Sequence, residues 1–218
     1  MQQELTISGD KESVVQTGWV KKLFRLFERT FAIIGILFII YHVCFSVSAI
    51  RSDSMAPTLI GENSASPDIV LTERISYWFR KPRRWEIVKY HTQDLLNLEV
   101  MKRVVALPGE TITIRNHWLV INGRPIERPL SLDFLKYYPY GYLHKGRSED
   151  CKDGYFVLGD DSKDSSDSRF DGAIAFSKLE GRAWLILWPP NRFGLLTPKR
   201  TTNAKCRLSA PGKAMSTH

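Results

Sequence analysis

The sequence predicts a mainly β protein, in which one long apolar segment near the N-terminus leads into an antiparallel, barrel-like β domain. Three observations point there. Short runs rich in Val, Ile, Thr and aromatic residues follow one another with turn residues between them. No apolar pattern with the period of an amphipathic helix occurs after residue 51. A single stretch, Phe31 to Ile50, is apolar on every face. With 218 residues and 43% hydrophobic composition, the chain can fill one sizeable core.

Taken in order, residues 1–30 are mostly polar and read as a cytoplasmic tail. Phe31 to Ile50 (FAIIGILFIIYHVCFSVSAI) holds twenty residues and no formal charge. As a helix it would cover about 30 Å, the thickness of bilayer hydrocarbon. A leader that is removed has a shorter apolar core with less chain ahead of it, so a retained transmembrane anchor is expected. Lys21, Lys22, Arg25 and Arg29 precede the segment, whereas Arg51 and Asp53 follow it. The positive-inside rule then puts the tail in the cytoplasm and residues 51–218 outside an inner or plasma membrane, crossed once.

Ile69–Thr72, Glu86–Tyr90 and Val100–Leu107 read as strands, the last ending at the turn signal Pro108-Gly109. Thr111–Ile114 and Trp118–Ile121 read as hairpin partners, with Asn122-Gly123 closing a further turn. Tyr155–Leu158 and Ala183–Trp188 complete the set, Pro189 and Pro190 stopping the last at a strand's length. Residues 128–150 break the alternation and hold Tyr137, Tyr138, Tyr140 and Tyr142. They read as an insert that packs on itself rather than as a membrane-surface or substrate lid. Residues 51–196 thus form the external domain, and 197–218, polar and poor in aliphatics, read as a disordered tail.

The net charge of +8 raises nucleic acid as a partner. Its basic residues, however, are spread out or sit ahead of the apolar segment and in the C-terminal tail, and no zinc-finger spacing, RRM signature or basic heptad helix occurs. The charge therefore reads as membrane-related, with lipid and not nucleic acid as partner. Cys44, Cys151 and Cys206 make no metal spacing, and whether Cys151 and Cys206 pair is left open. The five histidines give no ligand pattern, and no P-loop, G-x-G-x-x-G, H-E-x-x-H or G-x-S-x-G occurs, so no metal or cofactor is expected.

Three segments concentrate chemistry. Ser52-Asp-Ser-Met-Ala-Pro-Thr-Leu59 follows the apolar segment directly. Lys102-Arg-Val-Val-Ala-Leu-Pro-Gly109 puts a lysine on an apolar strand. Gly159-Asp-Asp-Ser-Lys-Asp-Ser-Ser-Asp-Ser-Arg169 is a dense polar loop leaving a strand. Each alone has an ordinary explanation: a Ser-rich link, a snorkelling lysine, an Asx-rich turn. Together they suggest a serine and a lysine acting as a pair. A serine hydroxyl needs a base to take its proton. Lysine can serve only when neutral, and burial among groups such as Val100, Met101, Val104 and Val105 favours the neutral form.

In order and wording these segments resemble the boxes of bacterial type I signal peptidases: S-x-S-M-x-P-T-L after a membrane helix, K-R-V-x-x-x-P-G, and G-D-N-S-x-x-S-x-D-S-R. Pro67-Asp-Ile-Val70 partly matches a fourth box, G-D-I-V, and the likeness covers residues 30–196. It implies a membrane-bound serine endopeptidase that removes signal peptides from secretory preproteins after small residues, with the protein-export translocon as a further candidate partner. It implies Ser54 as nucleophile, Lys102 as general base, Ser52 in the oxyanion hole and Ser165 as the residue that orients the lysine amine. It further implies Asp160, Asp167 and Arg169 as an ion-pair group holding the loop, and Ile50, Met55, Leu59 and Met101 as the lining of shallow pockets.

Two departures bear on this. Asp161 stands where that family has Asn. Asp53 lies between the serines, where a carboxylate near Lys102 would favour the ammonium; alternation along an extended segment turns it away. The competing expectations are a pilus- or conjugation-linked processing peptidase and a membrane-tethered β domain that binds exported peptides without cleaving them.

Overall fold

The computed structural model describes residues 10–62, 64–92 and 97–196. Helix α1 (Asp10–Cys44) leads directly into strand β1 (Phe45–Ala49). There follow β2 (Ile69–Glu73), a short helix α2 (Ile75–Phe79), β3 (Ile87–His91), β4 (Glu99–Ala106), β5 (Thr111–Arg115), β6 (Trp118–Ile121) and β7 (Arg124–Pro125). The chain continues through β8 (Glu149–Asp150), β9 (Gly154–Leu158), α3 (Ser168–Asp171), β10 (Ile174–Ala175), β11 (Leu179–Trp188) and β12 (Gly194–Leu195). The domain is mainly antiparallel β.

The larger sheet runs β1-β2-β11-β3-β4-β9-β10, with β12 beside β11, and the smaller runs β7-β6-β5-β8. In the larger sheet β1 is an edge strand, yet Lys89 on β3 donates to Ser46 and Ser48 on β1 at 2.8 and 3.1 Å. The sheet therefore curls until its first strand lies across β3. Ile50, Met55, Leu59, Val70, Ile87, Met101, Ala183 and Ile186 fill the inside of that curl. A second cluster joins the two sheets, with Val105, Ile112, Ile114, Leu119 and Phe156 among its members.

The apolar segment differs from the expected anchor. Its helix stops at Cys44, and Phe45–Ala49 pairs with β2 in the register Phe45↔Glu73 to Ala49↔Ile69. Phe45-Ser-Val-Ser-Ala alternates large and small side chains, a strand pattern hidden inside an apolar run, and the ladder gives its backbone groups partners. The apolar remainder, Phe31–Cys44, covers about 21 Å as a helix, short of roughly 30 Å of hydrocarbon. Among the described residues no helix is long and apolar enough to cross a membrane. The apolar side chains of α1 from Phe31 to Val43 are nonetheless almost all exposed.

The insert also differs. Leu132, Leu135, Tyr137 and Leu143 are buried in the cluster that joins the two sheets, so the segment packs on the domain rather than on itself. Of its aromatic residues Tyr137 enters that cluster, whereas Tyr138 and Tyr140 stack on one another and Tyr142 is exposed. The expected tail, 197–218, and Cys206 lie outside the described residues. Cys44 and Cys151 are buried free thiols, and burial pushes the Cys151 thiol up to about 12.

Candidate active site

Ser54 lies in a single turn of 3-10 helix, Asp53–Met55, that the chain makes just after β1. Met55 and Leu59 turn inward to the core of the curl and fix this turn from below. From the side, the Asp161 backbone N–H donates to the Ser54 carbonyl at 3.0 Å. Gly159 makes that approach possible: a Cβ there would lie 2.5 Å from the Ser54 carbonyl oxygen and 2.2 Å from Ser165 Oγ. Asp53 turns away from the lysine, its Oδ1 accepting the Gly61 N–H at 2.7 Å.

Lys102 projects from β4, where it pairs in register with the fully buried Val88 on β3. The side chain is 3% exposed, and Nζ donates to Ser54 Oγ. Ser52 Oγ lies 3.1 Å from Ser54 Oγ. Burial lowers the Lys102 amine from 10.5 to about 8; Asp167, Asp160 and Asp164 oppose that shift and Arg169 assists it. The carboxylates that act on the lysine are thus those of the third segment, not Asp53. A desolvated amine in contact with an alcohol can accept its proton near neutral pH.

The third segment behaves as two separate ion pairs. Asp167 Oδ2 lies 2.8 Å from Arg169 Nη2, with both side chains fully buried. Asp160 instead meets Arg103, at 2.7 Å from Nε and 2.6 Å from Nη2. The expected single group of Asp160, Asp167 and Arg169 is corrected accordingly, because Arg103, next to Lys102 on β4, reaches Asp160 from the neighbouring strand. Thr58 also donates to Asp160, tying the serine segment to the same carboxylate. Arg169 Nη1 in turn holds the Tyr138 and Ser162 carbonyls at 3.1 and 2.8 Å, which anchors the insert to the loop.

Ser165 does not make the expected contact. Its hydroxyl donates to Asp167 Oδ2 at 2.8 Å, a charged acceptor two residues away, and no hydrogen bond joins it to Lys102. Ile50, Met55 and Met101 line a groove of about 560 Å³ that opens beside Ser54. Leu59 does not line it; its side chain is fully buried beneath, where it packs with Ile50, Met55 and Met101. Residues that sequence reasoning missed are Arg103, Thr58 and a second buried lysine, Lys89. The charge of Lys89 within the otherwise apolar Ile87–Tyr90 run was the signal available for it.

Among the described residues, both walls of the groove have free backbone: β1 pairs only with β2, and β9 pairs with β4 only from Arg103 onward. Residues 99–102 of β4 and the outer side of β1 therefore present unpaired strand edges to whatever enters.

A family model for signal peptidase, peptidase S26, matches residues 23–188. A signal peptidase I of Leptolyngbya laminosa is 36% identical over 157 residues, covering 68% of this chain and 71% of that protein. A probable signal peptidase I-2 of a Synechocystis strain is 31% identical over 196 residues, covering 87% of this chain and 83% of that one. A crystal structure of a signal peptidase I from Enterococcus faecalis aligns with 47% of this chain and 97% of its own at 30% identity, with a TM-score of 0.38.

Proposed function

We propose, for a chain that belongs to the signal peptidase family, peptidase S26, and is therefore a hydrolase of peptide bonds, that it removes N-terminal signal peptides from exported preproteins with Ser54 as nucleophile and Lys102 as general base. The observation behind this is the contact of a buried amine, lowered to about 8, with the Ser54 hydroxyl. When Nζ loses its proton the same contact reverses, and the hydroxyl donates to the amine lone pair. Ser54 Oγ then attacks the scissile carbonyl as its proton passes to Nζ. The resulting oxyanion lies within reach of Ser52 Oγ and the Ser54 backbone N–H, donors of a kind worth about 3–4 kcal/mol each. The new ammonium gives its proton to the leaving amine, the peptide bond breaks and an acyl-enzyme remains. Water, deprotonated by the neutral amine, releases the acyl group.

The unpaired edges of β1 and β4 suit an extended substrate, which would add as a strand between them. Ile50, Met55 and Met101 leave shallow relief in that groove, which favours small side chains beside the cut. The exposed apolar face of α1 supports a membrane-bound state, since exposed patches of that extent mark lipid or protein contact. The basic residues Lys21, Lys22, Arg25 and Arg29 ahead of the apolar segment support a cytoplasmic N-terminal end. Preprotein and enzyme held in one lipid plane meet at a raised effective concentration.

The test is incubation of the purified full chain in detergent with an exported precursor, followed by sequencing of the new N-terminus. Cleavage after a small residue, abolished in both Ser54→Ala and Lys102→Ala while each stays folded, is the expected result. Near-normal turnover by either variant would overturn the role given to that residue. A wild-type chain that binds precursor and never cuts it would instead favour the peptide-binding alternative.

A further inference from the structure

The groove that opens at Ser54 runs along β1 and β4 to a second polar cluster, one that the steps above leave unused. Lys89 on β3 is 3% exposed, and its Nζ lies 2.9 Å from Glu99 Oε2 on β4 and 3.3 Å from Glu180 Oε2 on β11. Glu180 also contacts His91 Nδ1. Two carboxylates therefore share one buried ammonium. Glu180 falls in the register break between Leu179 and Gly181, where β11 pairs with β3. A bulge of this kind re-aims a side chain, and here it brings the Glu180 carboxylate to Lys89 and His91.

This cluster is not sealed from the groove. Glu99 and His91 are each 39% exposed at the side chain, and both line the cavity that reaches Ser54. Burial raises the Glu99 carboxyl, but hydrogen bonds from Ser48 and Lys89 and the charges of Lys89 and His91 outweigh it, leaving it below its ordinary value. At the opposite end of the same cavity lies Arg51, next to Ser52. The groove is thus electrically polarised along its length: cationic beside the serines, with surplus carboxylate at the far end.

We propose that the far end is a charge-selective subsite that takes a lysine or arginine side chain about three to five residues before the cut: the three residues of β4 from Lys102 to Glu99 span about 10 Å at a rise of about 3.3 Å per residue, and the length of the cationic side chain widens the reach. The inference rests on the groove being the substrate site. Glu99 is the residue that meets the incoming cation, and Lys89 and Glu180 position it. A cation placed nearer the cut would instead meet Arg51 and be disfavoured.

The probe is a set of cleavable peptides identical except for Lys, Gln or Glu at one position from about three to five residues before the scissile bond. In the wild type we expect kcat/KM for the Lys peptide to exceed that for the Gln peptide about two- to fivefold at the best position, the scale of a part-exposed charge pair. The Glu peptide should fall below the Gln peptide. The Lys-to-Gln ratio should drop toward one in Glu99→Gln, and likewise in the wild type as salt rises from about 20 to 500 mM, a change in screening that needs no variant to fold. Binding of the same peptides to Ser54→Ala, read by fluorescence anisotropy, measures the preference without turnover. Peptides that bind with the predicted order and are not cut would count against the peptidase reading alone. Equal Lys and Gln ratios in the wild type, or a ratio unchanged by Glu99→Gln and by salt, would overturn the subsite.

Discussion

Two lysines stand on adjacent strands of one curled sheet, each 3% exposed, and they differ in the charge placed against them. Lys89 has Glu99 at 2.9 Å and Glu180 at 3.3 Å. Among the described residues Lys102 forms no salt bridge; its hydrogen-bond partner is the hydroxyl of Ser54, and the carboxylate that acts on it most, Asp167, is itself bound to Arg169. Burial removes water from the Lys102 amine with no carboxylate paired directly to it, and so lowers it to about 8. On the proposed reading Lys102 serves as a base because desolvation acts on it while counter-charge is withheld, Asp167 being paired with Arg169 and Asp160 with Arg103.

The largest expected effect comes from exchanging the two lysines' fates. Lys102→Met should lower kcat/KM for a precursor by about three to six orders of magnitude, the range seen when a nucleophile's base is removed, while the melting temperature holds or rises. Lys89→Met should do the reverse to stability. It leaves Glu99 without its cation and Glu180 with His91 alone, and should cost about 1–3 kcal/mol, less than a fully buried pair because both carboxylates touch solvent. Denaturant titration of both variants checks the crossing, and equal stability losses would break the contrast.

Gly159→Ala ranks next. The added methyl would press on the Ser54 carbonyl, backbone that cannot rotate aside, so the turn holding the hydroxyl must shift. A fall in kcat of about 100-fold is expected for a displacement near 1 Å, with KM little changed; a normal kcat would mean that the loop yields instead.

The pH dependence follows from the lowered amine. Turnover should rise with pH through a midpoint near 8, because the working form is the neutral amine. Stability should move the same way. The unfolded chain binds a proton at this lysine up to its ordinary value of 10.5, whereas the folded chain releases it near 8. Unfolding therefore takes up a proton between those values, and stability climbs across that window. Below pH 8 the full penalty is present, about 3 kcal/mol for a shift of this size. Melting curves of the wild type against Lys102→Met at pH 7 and pH 10 isolate the contribution: the variant should lead at pH 7, with the gap narrowed at pH 10.

The smallest effect belongs to Asp161→Asn. The support given to Ser54 comes from the Asp161 backbone N–H, while its side chain accepts only from the Lys163 N–H at 3.1 Å. A change in kcat/KM of less than about threefold is expected, since surface substitutions away from buried features are nearly neutral.

Sequence alone reached the antiparallel class and the β5–β6 hairpin because alternation and turn residues are local signals. Asn116 and His117 between those strands adopt positive φ of 50° and 66°, the turn geometry that a two-residue hairpin loop needs. The contact of Ser54 with Lys102 was expected from neighbouring words in the chain rather than from any spacing rule, for 48 residues separate them. Arg103 and Asp160 stood inside two of those words, yet their union depends on β4 lying beside β9, a tertiary fact. β1 was hidden because five residues of strand followed an apolar helix without a polar break. The bulge at Glu180 has no sequence mark at all, since it arises from how β11 spans two partners at once.

No loop separates α1 from β1: Cys44 closes the helix and Phe45 begins the strand. The Arg74 N–H grips the Cys44 carbonyl at 2.9 Å, and Trp184 stacks on Phe45, so the joint is stiffened from two sides. The wall of the cleft is therefore brazed to its handle instead of hanging from a tether. Whatever sets the tilt of that rod also sets the bearing at which an arriving chain must lie to be cut.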